Sequence, residues 1–358
     1  MVKKNIKKEN GFFNMKIMPR FFIRTKDNLF FAVNTYHHPE SHYVAFLRYV
    51  PDEKGERVFN GVKYKKLSSN EAYNYLKKHH PNYLFNWNIE GKKTMGVLKE
   101  DVDEILNPIH RLNEILASKD NKELFNKIRL LAKIFHEKAG ISYDDMGISG
   151  STLLNLQNTT TSDIDFIVFG KDNHKRAINL YSKLKEDESS PLEKINDNYW
   201  KHVYDKRIKD NSMTLEEFIW YESRKNNRGL IKGTLFDISF TLKEDEIEEE
   251  EDIYFKPLEK IKIKCKIIDD DNSYAYPAIY LVSDVEFLEG SDVNIEKIVS
   301  FTHTYTGIVK NNERVIASGV CEEVTKKDSS KYYQLLIGTT RESMGEYLKL
   351  EKNPIKNN

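Results

Sequence analysis

Cysteine is almost absent from this chain. Cys265 and Cys321 are the only two in 358 residues, and each lies in a strand-like segment. A disulfide framework is excluded, and two buried free thiols in a reducing compartment are expected. Long hydrophobic runs are missing too. None approaches the roughly 20 residues needed to span a bilayer. The basic opening MVKKNIKKENGFF lacks the apolar stretch of a secretion signal. A cytoplasmic protein with no membrane association is the expectation. Neither sign of charge is in surplus: 56 Lys and Arg balance 56 Asp and Glu. That balance excludes a uniformly basic, nonspecific nucleic-acid coat and leaves only local basic faces. There is no GxxxxGK[ST] phosphate loop, no internal repeat and no low-complexity tract. Nothing in the sequence indicates an oligomeric state.

What is present divides into three blocks, as a chain of this length suggests. Residues 1–13 read as a loose basic lead-in. Residues 14–99 read as a small α+β module. FFIRTKDNLFFAVNTY predicts two strands around a turn at Lys26-Asp27-Asn28, HYVAFLRYVPD a third, and NEAYNYLKKHHP a short helix capped by Ser68 or Ser69. Residues 100–243 read as a helical lead-in followed by a central α+β domain. Val102, Ile105, Leu106, Ile109, Leu112, Ile115 and Leu116 recur at helical spacing, with Pro108 expected to kink or divide that helix. A second helix stops at Gly140. The acidic run KEDEIEEEED predicts a solvated linker or exposed edge. Beyond it, short alternating strands predict an antiparallel barrel or sandwich over 253–350, with the tail KNPIKNN disordered.

The most informative stretch is GISGSTLLNLQNTTTSDIDFIVFG, residues 147–170. Asp163 and Asp165 are embedded among Ile164, Phe166, Ile167, Val168 and Phe169, which favour a strand. Residues i and i+2 of a strand share a face. Both carboxylates therefore crowd one side of the sheet, which is costly unless a positive group lies between them. Asp237, in GTLFDISF, is a third strand aspartate and needs compensation for the same reason. Three such carboxylates make a hard oxygen cage suited to Mg²⁺ or Mn²⁺ and a bound triphosphate. Gly150 permits close backbone approach to a phosphate. The helix beginning there would offer free N–H groups and a positive dipole end, with the Ser151 hydroxyl as a further donor.

Gly150-Ser151, eleven intervening residues, Asp163-Ile164-Asp165-Phe166 and a later strand aspartate together resemble the nucleotidyltransferases of the DNA polymerase β superfamily. The likeness covers the central hundred residues and says nothing specific about either flank. It implies a mixed sheet with helices at the centre of the α+β chain. It also implies transfer of a nucleotidyl group from a nucleoside triphosphate to an acceptor hydroxyl. In those terms Asp163, Asp165 and Asp237 would bind the metal ions, Asp237 would draw the acceptor proton, and Gly150 and Ser151 would contact the triphosphate. RNA is one acceptor to consider. A protein or small-molecule acceptor, or a non-catalytic nucleic-acid-binding protein, is the competing reading.

Other residues carry weaker signals. Arg224, Lys225, Arg228 and Lys232 precede the Asp237 strand and could meet a triphosphate or an RNA backbone, although cations also suit an ordinary helix end. Lys171 follows the DIDF strand and could reach a phosphate. His37, His38 and His42 invite a zinc site but have no cysteine beside them and suit a turn. His303 and Tyr305 could stack on bases or could be core.

Overall fold

The computed structural model describes residues 16–87, 93–159, 161–248, 253–339 and 344–355. The basic lead-in of residues 1–13 lies outside these. Strands β1 (Phe22–Thr25), β2 (Phe30–Val33), β3 (His42–Pro51), β4 (Arg57–Phe59) and β5 (Val62–Lys66) precede helix α1 (Ser69–His79). Strands β6 (Leu84–Asn86), β7 (Lys93–Leu98) and β8 (Val102–Leu106) complete the first sheet. Its main path runs β4-β5-β3-β2-β1-β8, with β7 bridging β3 and β6. Ser68 caps α1 in a capping box with Glu71, which satisfies donors at both residues.

One expectation fails here. Residues 102–106 form an edge strand, not the start of a helix. Val102, Ile105 and Leu106 match helical spacing, but Pro108 occupies the first helical position, where its missing N–H costs nothing. Asn107 caps that helix, α2 (Pro108–Ala117), by accepting from the Ile109 N–H at 2.8 Å. Helix α3 (Glu123–Ala139) then ends at Gly140 in the left-handed conformation, as the sequence predicts.

The central sheet follows. It comprises β9 (Met146–Ile148), β10 (Ile164–Phe169), β11 (Leu192–Glu193), β12 (Arg228–Ile231) and β13 (Thr234–Thr241), in the order β11-β12-β13-β10-β9. Helix α4 (Gly150–Leu153) lies between β9 and β10, and α5 (Lys171–Leu184) follows β10. Helices α6 (Asp197–Arg207) and α7 (Leu215–Lys225) precede β12. The alternation of β10 and β13 sorts their side chains. Ile164, Phe166, Val168, Phe236 and Ile238 face α2, α3 and α5 in one core. Burying a side chain such as Phe166 or Phe236 stabilises the fold by roughly 2–3 kcal/mol. On the opposite face Ile167 and Phe169 join the core of the first sheet. Asp165 and Asp237 share that second face. The sheet face that carries the acids is therefore roofed by the N-terminal strands.

The C-terminal strands are β14 (Tyr254–Asp269), β15 (Ala278–Glu289), β16 (Ile295–Ser300), β17 (Arg314–Thr325), β18 (Lys331–Ile337) and β19 (Tyr347–Leu350). Pairing runs β14-β15-β16-β18-β17, and β14 pairs back onto β17 to close a barrel, with β19 pairing with Val315–Ser318 of β17 where β18 does not reach. The closure is not purely antiparallel, because β16 and β18 run parallel after the chain crosses the barrel end between them. Alternate residues Ile261, Ile263, Cys265 and Ile267 point into the barrel. Cys265 and Cys321 are free and buried, and burial pushes their thiols up to about 12 and about 11. Helices α6 and α7 pack on the barrel through Trp200, Val203, Phe218 and Tyr221. Part of the acidic run is ordered, with Glu244 and Asp245 exposed to solvent. Glu244–Glu246 form a short 3₁₀ turn, and Glu246 accepts the Lys171 N–H at 3.0 Å. Of the tail, residues 352–355 are described as bends and turns without regular structure.

Candidate active site

Strands β10 and β13 are parallel neighbours, and their register places Asp165 directly opposite Asp237. Asp163 precedes β10 by one residue and remains exposed. The sequence spacing therefore becomes a row of three carboxylates at one end of one sheet face. The row is electrostatically strained. Asp165 keeps part of its surface open to a cleft, yet protein surrounds it. Burial, then the charge of Asp237, holds its carboxyl up at about 6. Asp163 is raised for the same two reasons in the same order. Arg20 and Lys66 partly offset the effect at Asp165, and Arg228, Lys66 and Arg57 at Asp163.

Asp237 has its own partner. Arg228 sits opposite it across the β12–β13 pair. The guanidinium forks onto the carboxylate, with Nε on Oδ1 and Nη2 on Oδ2, the latter at 2.9 Å. Such a bidentate pair is strong and directional. It also explains why, among the described residues, no group of three acidic, His or Cys side chains has the spacing to hold a metal ion. In this conformation Asp237 is turned onto Arg228. The donor chemistry nevertheless fits a hard divalent cation. All three groups offer carboxylate oxygens, two are register neighbours, and their mutual repulsion is what a cation would relieve.

Gly150 makes the other wall. Its φ is +60°, and a Cβ built there would overlap the Asp165 carboxylate. Only glycine lets the loop lie against the acid. The helix that starts there has just four residues, so the expected dipole contribution is small. The Ser151 hydroxyl is buried and donates to Ser162 Oγ at 3.4 Å. The Ser149 N–H donates to the Asp165 carbonyl at 2.9 Å, and Ser149 Oγ donates to the Arg20 carbonyl at 2.7 Å. Gly150→Ala is expected to displace the Asp165 carboxylate and lower transferase activity by at least about a hundredfold. Steady-state kinetics alongside circular dichroism would check this, with wild-type turnover in a folded variant as the contrary result.

The remaining predicted residues divide sharply. Arg228 is in the row, as described. Lys171 begins α5 beyond the far end of β10 from Asp163, about 15 Å or more along the strand from Asp165. Lys232 occupies the β12–β13 turn with φ +46°, about 15 Å along the strand from Asp237. Neither is brought to the carboxylates. Proximity in sequence misleads here because an extended chain carries its neighbours away quickly. Arg224 pairs with Glu313 at 2.7 Å and stacks on Trp220. Lys225 is buried, bound to Glu222 at 2.5 Å and to the carbonyls of His303 and Thr304. Tyr305 is core, with its hydroxyl donating to the Glu346 carbonyl at 2.7 Å. The N-terminal histidines also serve packing. His42 stacks on Phe85 at 4.1 Å, and burial holds His38 down at about 4. Sequence reasoning missed Arg20, Arg57 and Lys66, whose charges act on the acids from the N-terminal part of the chain. Long-range contacts of this kind leave no spacing signal.

The comparisons with known proteins agree with this geometry. The nucleotidyltransferase domain family matches residues 128–269, a span holding the whole acidic row and Gly150-Ser151. The chain belongs to this family and is a transferase enzyme. It is also 41% identical over 349 residues to the uncharacterized protein MJ1086 of Methanocaldococcus jannaschii, covering 94% of this chain and 100% of that relative. The likeness to that relative therefore takes in both flanking sheets as well as the acidic row. No solved structure matches the chain. Among the described residues, no helix is long and apolar enough to cross a membrane.

Proposed function

We propose that this enzyme moves a nucleotidyl group from a nucleoside triphosphate to the hydroxyl of an acceptor, with Mg²⁺ or Mn²⁺ at Asp163, Asp165 and Asp237. The observation that carries the reading is the register pairing of Asp165 with Asp237 on one face, backed by a glycine that only just clears the acid. The acceptor oxygen attacks the α-phosphorus and forms the new P–O bond. The bond to the β-phosphate oxygen breaks, pyrophosphate departs with its electron pair, and the acceptor proton passes to Asp237. A divalent ion, when bound, would neutralise charge on the triphosphate and ease loss of the acceptor proton. Asp163 and Asp165 hold the donor end of the site, where the Gly150-Ser151 loop lies directly against the Asp165 carboxylate. Arg228 keeps Asp237 paired until its carboxylate is needed.

RNA, protein side chains and small molecules all offer a suitable hydroxyl. The test is incubation with Mg²⁺, α-labelled nucleoside triphosphates and separated RNA, protein and metabolite fractions. The expected result is label in one fraction, lost on Asp237→Asn. Label transfer that Asp237→Asn leaves at the wild-type rate would overturn the reading.

A further inference from the structure

The row of acids has two ends. Gly150-Ser151 closes the Asp165 end, towards β9. At the Asp237 end, towards β12, lies a cleft lined by Arg20, Arg207, Arg228, Asp237, His303 and Thr306. These residues come from all parts of the chain. Arg20 belongs to the turn before β1, Arg207 ends α6, Arg228 starts β12, and His303 and Thr306 follow β16. The cleft exists only because the N-terminal sheet, the central sheet and the barrel meet there.

Its lining is rich in guanidiniums. Arg207 lies 3.5 Å from Glu222, and the same Glu222 oxygen binds Lys225 at 2.5 Å. One carboxylate therefore serves two cations. Arg228 takes Asp237. Arg20 joins no ion pair among the described residues, although it is half-buried. Three guanidiniums therefore line this one cleft, facing Glu222 and Asp237 within it and Asp165 beside it, whose carboxyl Arg20 partly offsets. Guanidiniums gathered on one cleft suit the oxygens of a phosphate. His303 registers the same field. Its ring is open to the cleft but hemmed in by protein, and burial followed by Arg20, Arg207, Arg228 and Lys225 holds its imidazole well below the usual range.

Arg20 is also held deliberately. Its φ is +78°, a conformation that costs energy in a residue with a side chain. Its N–H donates to the Val33 carbonyl at 3.1 Å, and its own carbonyl accepts from Ser149. The loop that carries Gly150 therefore also fixes the turn that carries Arg20. Strain maintained by two anchors at the edge of a reaction site points to a working side chain.

We propose that this cleft is the acceptor site and that it takes a phosphate group on the acceptor, held by Arg20, Arg207 and the released Arg228. The assignment of this end to the acceptor rests on the transferase reading above. The anion site does not, since it rests on three guanidiniums lining one cleft. The enclosed part of the cleft is small, with a free volume of about 30 Å³, room for about two ordered waters. Walls from three parts of the chain favour a compact phosphorylated molecule over a continuous strand of nucleic acid.

Binding of inorganic phosphate, followed by calorimetry on the full chain without NTP and with a chelator present, tests the proposal. Arg20 has no ion pair to lose, so Arg20→Gln is expected to fold normally. It should weaken phosphate binding at the cleft by about tenfold, as expected for loss of one charged hydrogen-bonding partner. Repeating the titration with Mg²⁺ and a non-hydrolysable triphosphate fills the donor end, and the Arg20-dependent phosphate site should persist. Glycerol 3-phosphate and a 5′-phosphorylated oligonucleotide distinguish acceptor classes. Tighter binding of the small ester than of the oligonucleotide supports the proposal, and the reverse order contradicts it. Phosphate affinity unchanged by both Arg20→Gln and Arg207→Gln overturns it, even if label transfer proceeds. Arg20-dependent binding without any label transfer would instead remove the catalytic reading and leave the anion site standing.

Discussion

Asp165→Asn is expected to make the metal-free protein more stable at neutral pH while removing nucleotidyl transfer. The folded carboxyl ionises at about 6, above the roughly 3.9 of an unfolded chain. The sign follows directly. Below about pH 4 the acid is protonated in both states and no penalty exists. As pH rises towards 6 the unfolded chain ionises readily and the folded one resists, so stability falls. Above that range the full penalty applies, on the order of 2 kcal/mol. Asparagine keeps the shape, cannot ionise, and removes the penalty. Thermal melts from pH 4 to 8 should show the variant gaining on the wild type as pH rises, then levelling. A variant equal to or less stable than wild type at neutral pH would contradict the strained-acid account. The same substitution should lower transfer by at least about a hundredfold, because the site's charge complementarity is lost.

Arg228→Ala carries the second large effect, with the opposite sign. Removing the fork leaves Asp237 beside Asp163 and Asp165 with no counter-ion. Breaking a fully buried pair costs about 3–5 kcal/mol. The Asp237 side chain is 29% exposed, so water screens part of that loss. About 2 kcal/mol of destabilisation is expected in metal-free protein. Mg²⁺ should restore stability in the variant more than it raises that of wild type, because no guanidinium then competes for Asp237. Melting temperatures with and without Mg²⁺ measure this. An equal Mg²⁺ response in both proteins would mean that Arg228 does not guard the carboxylate. Arg228→Lys should fall between the two, since ammonium supplies charge without the fork.

The legible parts of this site are those written locally. A strand with acids at i and i+2, a glycine before a short helix and a later strand aspartate each leave a pattern in sequence. Their register across β10 and β13 follows once both strands are recognised. Residues 102–106 are illegible as a strand because apolar residues at spacings of three and one fit a helix and break the strand alternation. Pro108 then looked like an interruption and was in fact a beginning. Arg20 gave no sign at all. Its importance arises from a turn folded over a sheet whose nearest catalytic residue is more than a hundred positions away. Lys171 and Lys232 show the converse, being close to the acids in sequence and distant along their strands. His303 lay between the two cases. Its alternation with Phe301 and Tyr305 suggested a barrel face, but the segment is a turn at the barrel end, and only His303 opens to the cleft.

The central claim is that Asp163, Asp165 and Asp237 act together on one divalent cation site beside the Gly150-Ser151 loop. Electron paramagnetic resonance of Mn²⁺, titrated into the protein without nucleotide, tests it most directly. Wild-type protein should bind Mn²⁺ and lose the free-ion signal, whereas Asp165→Asn and Asp237→Asn should each leave most of the ion free. Identical titrations for wild type and both variants would contradict the claim.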